Sequence, residues 1–372
     1  MLKTPKKGYS VGLTITDAMR ITKEEDAHRI ATYPNHTVEG LPASVNWQNV
    51  NGKDWTKPVR DQDGCGCYDD ETEVLCKSGW KLFKDVTKED EILCYNKETK
   101  ELRYDHPLNL FEYDYNGKLI QIKGSSIDLL VTPNHNMLVS KWNEAQRTVP
   151  DKEEFVRADS LGWYVNIPCA GKWNGEPRSS YTIKGCEIGP YNNLNDHNDG
   201  EHCYGFREGF AVPMNDWVPF LGAYLADGYT TPQNHFEVGI TAKKEKKVLA
   251  FGSILEKMPF HSKYNKKDRY IVNSKRLSKC LEPLGHATEK YVPDYIKGLT
   301  SEQIKMFLQG FGLGDGQWIE DTQTWRFYTS SKKLADDLQE LVIKSGKWAK
   351  ISVRGPRVSE IRGRKIHPTG PE

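Results

Sequence analysis

Between Cys67 and residue 166, apolar and polar positions alternate in short runs. Thr72-Glu73-Val74-Leu75, Leu119-Ile120-Gln121-Ile122 and Leu129-Leu130-Val131 are examples. Such runs are too short for helices and have the period of one-sided strands. Ser78-Gly79 and Asn116-Gly117 separate them as turn signals. The pattern predicts a small all-β domain over 67–166.

From residue 211 the period changes. NDWVPFLGAYLADG, 215–228, predicts a helix with apolar Phe220, Leu221, Tyr224 and Leu225. Asn215 or Asp216 can cap it, and Pro219 is tolerated in a first turn. Gly222 and Ala223 allow another helix to come close. TSEQIKMFLQGFGLGDG, 300–316, repeats the design, with Thr300 and Gln303 as a capping box and Gly310, Gly312 and Gly314 as the small positions. Both segments end in Asp-Gly. Alternation in FEVGITA, 236–242, and Trp325–Tyr328 predicts strands. Leu334, Leu338, Leu341 and Val342 mark a further helix closed by Gly346. The pattern thus reads helix–strand and then helix–strand–helix.

A length of 372 residues suits about two to three domains. Lys+Arg is 52 against Asp+Glu 51, a net charge of +1, so a nucleic-acid face must come from local patches such as the basic stretch 347–365. No apolar run approaches the ~18–20 residues of a membrane span. MLKTPKKGYS lacks the apolar core of a secretory signal. The 8 cysteines are scattered, which favours reduced thiols. The expected location is cytoplasmic, with no membrane partner.

Residues 40–66, GLPASVNWQNVNGKDWTKPVRDQDGCG, resemble the mature start of papain-family cysteine proteases. Leu41-Pro42, Asn46-Trp47, Gln62, Cys65 and Gly66 carry the likeness. The resemblance implies that Gln62 donates to an oxyanion. The nucleophile's position holds Tyr68, and no Trp follows, so a working protease fails at its central residue. The texture changes just after Gly66.

Cys67 followed by Thr72-Glu73-Val74-Leu75, and later Thr132-Pro133-Asn134-His135, resemble the first two blocks of an intein. That likeness implies an incomplete Hint-type splicing domain at 67–166, inserted after a short N-terminal extein, 1–66. Its first step is attack of the Cys67 thiol on the Gly66 carbonyl, which needs no cofactor. His135 can protonate the departing nitrogen, and Thr132 or a backbone N–H can hold the oxyanion. Asp70 is a candidate to orient the thiol. A hedgehog-type autoprocessing domain shares this step but carries no endonuclease. Inteins end in His-Asn, whereas Arg364 to Glu372 has neither in place, so 351–372 is expected to be a truncated return toward the splicing domain.

The two Asp-Gly helices resemble the LAGLIDADG motifs of homing endonucleases. The chain is thus expected to be multidomain, with an α+β pseudo-dimer of two αββα halves at 211–350 beside the all-β domain. The resemblance implies that Asp227 and Asp315 together hold Mg²⁺ for cleavage of double-stranded DNA, the uninterrupted host gene, by a monomer with an internal pseudo-two-fold. Lys243 or Lys244 would polarise the attacking water, although a KKEKK run also suits a solvated or phosphate-facing surface. Segment 167–210 is expected to be a linker or DNA-contact insertion. Its Cys169, Cys186, His197, His202 and Cys203 lack the paired spacing of a zinc site. The competing readings are a DNA-binding remnant without catalysis and a cysteine peptidase.

Overall fold

The computed structural model describes residues 67–124, 127–141, 152–162, 165–188, 205–231 and 236–353, with the backbone of four short strands, Leu2–Lys3, Gly8–Val11, Ser359–Ile361 and Arg364–Ile366. Gln62 and Gly66, and the protease-like stretch as a whole, lie outside the described residues.

The first module is built of short strands, with single turns of 3-10 helix at Phe83–Asp85 and Ala158–Ser160. It contains β1 (Tyr68–Asp69), β2 (Glu73–Cys76), β3 (Gly79–Leu82), β4 (Ile92–Asn96), β5 (Glu101–Asp105), β6 (Leu119–Lys123), β7 (Asp128–Val131), β8 (Asn136–Lys141), β9 (Glu154–Arg157) and β10 (Lys172–Trp173). β2 and β3 form a hairpin at Ser78-Gly79, where Gly79 takes φ +116°, a conformation that L side chains rarely adopt. One sheet runs β10-β5-β4-β2-β3. In another, β1 pairs with β7 so that Tyr68 lies opposite Val131. That register sets Cys67 beside Thr132. Val131, Met137, Val139 and Ala158 form a small buried core there.

The segment 167–210 is not a plain linker. β10 joins the first module's sheet beside β5. β11 (Ser180–Ile183) pairs with β12 (Phe210–Pro213), and Cys186–Ile188 pairs with Gly205–Arg207. The strand pair Ser359–Ile361 and Arg364–Ile366 forms its own hairpin in the region expected to return toward the splicing domain.

The second module holds α1 (Met214–Asp227), β13 (Gly228–Thr231), β14 (Glu237–Thr241), α2 (Glu245–Leu255), β15 (Lys263–Tyr264), β16 (Arg269–Asn273), α3 (Lys275–Leu281), α4 (Asp294–Lys297), α5 (Ser301–Asp315), β17 (Gly316–Ile319), β18 (Thr324–Phe327) and α6 (Lys332–Lys344). Both αββα runs are present, but the halves are not equivalent. The first builds a four-stranded sheet, β13-β14-β16-β15, while β17 and β18 stand as a two-stranded sheet.

α1 and α5 pack against each other through the core. Trp217, Phe220, Phe307 and Phe311 are fully buried, each stabilising the fold by about 1.5–3 kcal/mol. Neither expected cap at Asn215 or Asp216 is made. α1 follows β12 directly, Pro213 precedes it without a side-chain cap, and Met214 N donates to Ser179 O at 2.9 Å. Asn215 Oδ1 instead accepts from Gln303 Nε2 at 3.2 Å. In α5, Thr300 Oγ1 accepts from Gln303 N at 3.3 Å. The reciprocal arm of the expected box is absent because the Gln303 side chain turns to the backbone of Arg178.

Candidate functional site

Glycine decides how closely the two helices approach. A Cβ on Gly222 would lie 2.8 Å from Phe311 N, and one on Gly310 would lie 2.8 Å from the Cα of Pro219. Farther along the crossing, a Cβ on Gly314 would lie 2.8 Å from Asp227 Oδ2. The Asp227 carboxylate therefore rests over the residue that precedes Asp315. Each aspartate is the last residue of its helix, where the helix dipole opposes negative charge. Nothing in helix stability favours paired acids at that place.

Two lysines answer the charge. Lys247 of α2 places Nζ 2.6 Å from Asp227 Oδ2. Lys290 is buried and donates to the carbonyls of Tyr224, Leu225 and Gly228 at 3.2, 3.0 and 2.8 Å. These bonds use its three N–H groups, so it caps the end of α1. Burial pushes Lys290 down to about 8, against the upward pull of Asp315 and Asp227. Burial, and then Asp227, raise Asp315 to about 6, with Lys247 and Lys290 pulling the other way. The cleft has a volume of about 440 Å³, lined by Asp227, Asp315, Tyr229, His286, Lys290 and Ser330 among others.

Sequence reasoning missed both lysines. Lys243 and Lys244 lie exposed at the start of α2; Arg269 and then Asn265 hold the Asp268 carboxyl low, and Lys243 adds only a small pull. Lys247 is the third residue of α2, and the helical turn that begins at Glu245 carries it toward Asp227. Lys290 stands directly before Tyr291-Val292-Pro293, outside both Asp-Gly helices, where no local pattern marks it.

The sheet beside the cleft carries a polar chain. Tyr229 OH donates to Glu237 Oε1 at 2.7 Å and accepts from Arg269 Nη1 at 2.7 Å. Arg269 also holds Asp268 through Nε and Nη2 at 2.9 and 3.1 Å.

A second constellation lies in the strand module. Cys67 N donates to Thr132 Oγ1 at 3.0 Å, and Thr132 N donates to Cys67 O at 3.0 Å. Cys67 and Thr132 are buried. His135 N donates to Thr132 O at 3.0 Å, and the His135 ring meets the Tyr68 ring edge-on at 4.5 Å. The three residues named from the sequence are thus brought together. Asp70 Oδ1 is buried with no hydrogen-bond partner among the described residues. Cys169 Sγ donates to Ile167 O at 3.3 Å, while His197, His202 and Cys203 lie outside the described residues. Among the described residues no group of three or more His, Cys, Asp or Glu side chains is placed to hold a metal ion, and no helix is long and apolar enough to cross a membrane.

No family model matches the chain. It aligns at 27% identity over 300 residues with the ATP-dependent Clp protease proteolytic subunit of Chlamydomonas moewusii, covering 77% of this chain and 28% of that protein. It aligns at 30% over 112 residues with the ribonucleoside-diphosphate reductase subunit beta of Aquifex aeolicus, covering 30% of this chain and 16% of that protein. A third relative is the DNA-directed RNA polymerase subunit beta C-terminal section of Stigeoclonium helveticum, at 23% over 330 residues, 76% of this chain and 28% of that protein. The chain thus spans 16 to 28% of the length of these relatives. Among solved structures, mesophilic variants of the homing endonuclease I-DmoI overlap at TM-score 0.28 and 15% identity, over 40% of this chain and 85% of that one. I-DmoI in complex with DNA and Mn overlaps at TM-score 0.27 and 16% identity, over 40% of this chain and 86% of that one. These overlaps are partial and carry no argument about the site.

Proposed function

We propose that the second module hydrolyses phosphodiesters of double-stranded DNA with a divalent cation, and that the strand module beginning at Cys67 is the start of a self-splicing insert. The observation that carries the first half is the pair of aspartates at adjacent helix ends in one cleft, with Asp315 raised to about 6 by burial and by Asp227. Such a pair suits a hard cation that takes one or two carboxylates, keeps waters and accepts phosphate oxygens. Two carboxylates, with no third His, Cys, Asp or Glu beside them among the described residues, agree with that donor set. A bound Mg²⁺ or Mn²⁺ would neutralise the phosphate and make bound water more acidic. The chain's own part is to hold the carboxylates together through the glycine crossing and to orient Asp227 with Lys247. Lys290 fixes the end of α1 and adds a positive charge. Tyr229 and Arg269, on the sheet beside the cleft, are candidates to meet the duplex.

The second half follows from Cys67 and from the relatives. In the N–S shift, the Cys67 thiol gives up its proton, Sγ forms a bond to the Gly66 carbonyl carbon, the C–N bond breaks, and the Cys67 nitrogen takes up one proton, so none is gained or lost overall. Thr132 Oγ1 already grips that nitrogen, leaving its own O–H to donate to the developing oxyanion. His135, held by the Thr132 and Ala158 backbone, is the candidate proton donor. A protease subunit, a reductase subunit and a polymerase subunit have no common chemistry. Each of the three matches part of this chain over less than a third of its own length, which supports reading the matched region as an insert rather than as part of any one host chemistry.

The deciding assay incubates the full chain with a randomised duplex library and Mg²⁺ or Mn²⁺, then sequences the ends. Discrete cuts lost in both Asp227→Asn and Asp315→Asn are expected. Binding without cuts at any cation concentration would leave only a DNA-binding remnant. In parallel, added thiol should release the first 66 residues from the wild type and not from Cys67→Ala. Release from both would remove the splicing reading.

A further inference from the structure

The strand module and the nuclease module meet on a polar cluster, its charged members buried, that neither proposed reaction uses. Tyr104 OH of β5 donates to Glu340 Oε1 of α6 at 2.9 Å. Lys344 Nζ donates to the same Glu340 oxygen at 2.6 Å and to Lys297 O at 3.0 Å, and lies over the rings of Tyr104 and Trp173 at 4.8 and 4.3 Å. Trp173 of β10 donates through Nε1 to Leu299 O at 2.9 Å. A cavity of about 500 Å³ opens at this seam. The charges on its wall already have partners, Lys77 with Glu91 and Arg103 with Asp105 for example, so it is a joint and not a ligand site.

The cluster does not end at the seam. Lys297 Nζ bridges Glu340 Oε2 at 3.3 Å and Asp337 Oδ1 at 2.7 Å. Asp337 Oδ2 accepts from Val292 N at 2.9 Å. Two residues earlier, Lys290 O accepts from Ser331 Oγ at 2.6 Å, and Lys290 Nζ caps α1 beside Asp227. Lys297, Asp337, Glu340 and Lys344 are each less than 5% exposed. Buried ion pairs at such density have one satisfied arrangement, and breaking one partner leaves its neighbours uncompensated.

We infer that Tyr104, in the strand module, is a positioning residue for the nuclease cleft, acting through Glu340, Lys297 and Asp337 on the 290–297 segment that fixes the end of α1. The strand module is then part of the nuclease's support. This rests on the cleavage reading of the cleft. The phenol is the mildest point of entry, since Tyr104→Phe keeps the ring over Lys344 and removes only the bond to Glu340. Asp337→Asn is the stronger variant but can fail to fold.

The test is amide hydrogen exchange by mass spectrometry on full-length wild type and Tyr104→Phe, with cleavage kinetics alongside. Faster exchange is expected in peptides covering 224–231 and 286–297, with kcat lower by about 3- to 10-fold and KM unchanged. Exchange that changes only near β5 and α6 overturns the inference, whatever cleavage does. So does faster exchange at the cleft with kcat unaltered in an active enzyme. If wild type makes no cut, the cleavage reading fails by itself, and the exchange pattern alone decides whether the network positions the cleft.

Discussion

The two aspartates differ in what surrounds them, and that difference makes a pH prediction. Asp315 must lose its proton to hold a cation, and its carboxyl is raised to about 6. Cation affinity should therefore be flat above this value and fall by about tenfold per pH unit below it, as titration calorimetry with Mn²⁺ between pH 5 and 8 would show. The sign for stability is opposite. A carboxyl raised in the folded state adds stability that is complete below its ordinary value of 3.8 and is lost as pH rises through about 6. The cation-free protein should gain stability from this group on acidification, and saturating cation should abolish the gain. Lys247 gives a second prediction. It contacts Asp227 and lowers Asp315, so Lys247→Met should move the acid limb of the cleavage profile to higher pH and reduce kcat by about 10²-fold. Lys247→Arg should retain most of the profile. An unshifted limb in Lys247→Met would show that Lys247 has no part in the carboxylate chemistry.

At the scale of elements, the α1–α5 crossing is where sequence pattern and geometry agree most closely. Small residues at 222, 310 and 314 were legible as a contact face, and each has backbone or a carboxylate where a Cβ would go. Gly310→Ala should cost stability, although alanine is the better helix former by about 1 kcal/mol. The overlap with the Pro219 backbone makes the expected loss about 1–3 kcal/mol by urea denaturation. Gly162→Ala, with nothing within 4 Å of its Cβ position, is the control. A stabilised Gly310→Ala would mean that the helices do not cross at this point. The halves were less legible. Each motif helix is followed by two strands and a helix, yet β15 and β16 join only the first sheet. Their short runs are set by pairing, Arg269–Asn273 against β14 and Lys263–Tyr264 against β16, which local pattern does not record.

Across the whole molecule, the buried cluster of Lys297, Asp337, Glu340 and Lys344 ties the two modules into one body. Lys297→Met leaves Asp337 and Glu340 short of one counter-charge, and about 3–5 kcal/mol should be lost. Far-ultraviolet and tryptophan signals from both modules should still unfold together in urea if the seam holds. Two separated transitions in the wild type would show that the modules are independent.

What the linear chain determined was the set of groups and their local frames. Asp-Gly at the ends of two small-residue helices, Cys67 ahead of a strand, and Thr132 three residues before His135 were all visible, because helical and strand periods are local properties of consecutive residues. The tertiary structure alone decided which charges answer those groups. Lys247 comes from a helix 20 residues beyond Asp227, and Lys290 reaches Gly228 across 62 residues. Glu340 meets Tyr104 across 236. A lysine's partner depends on which elements fold against it, and no periodicity in the chain records that.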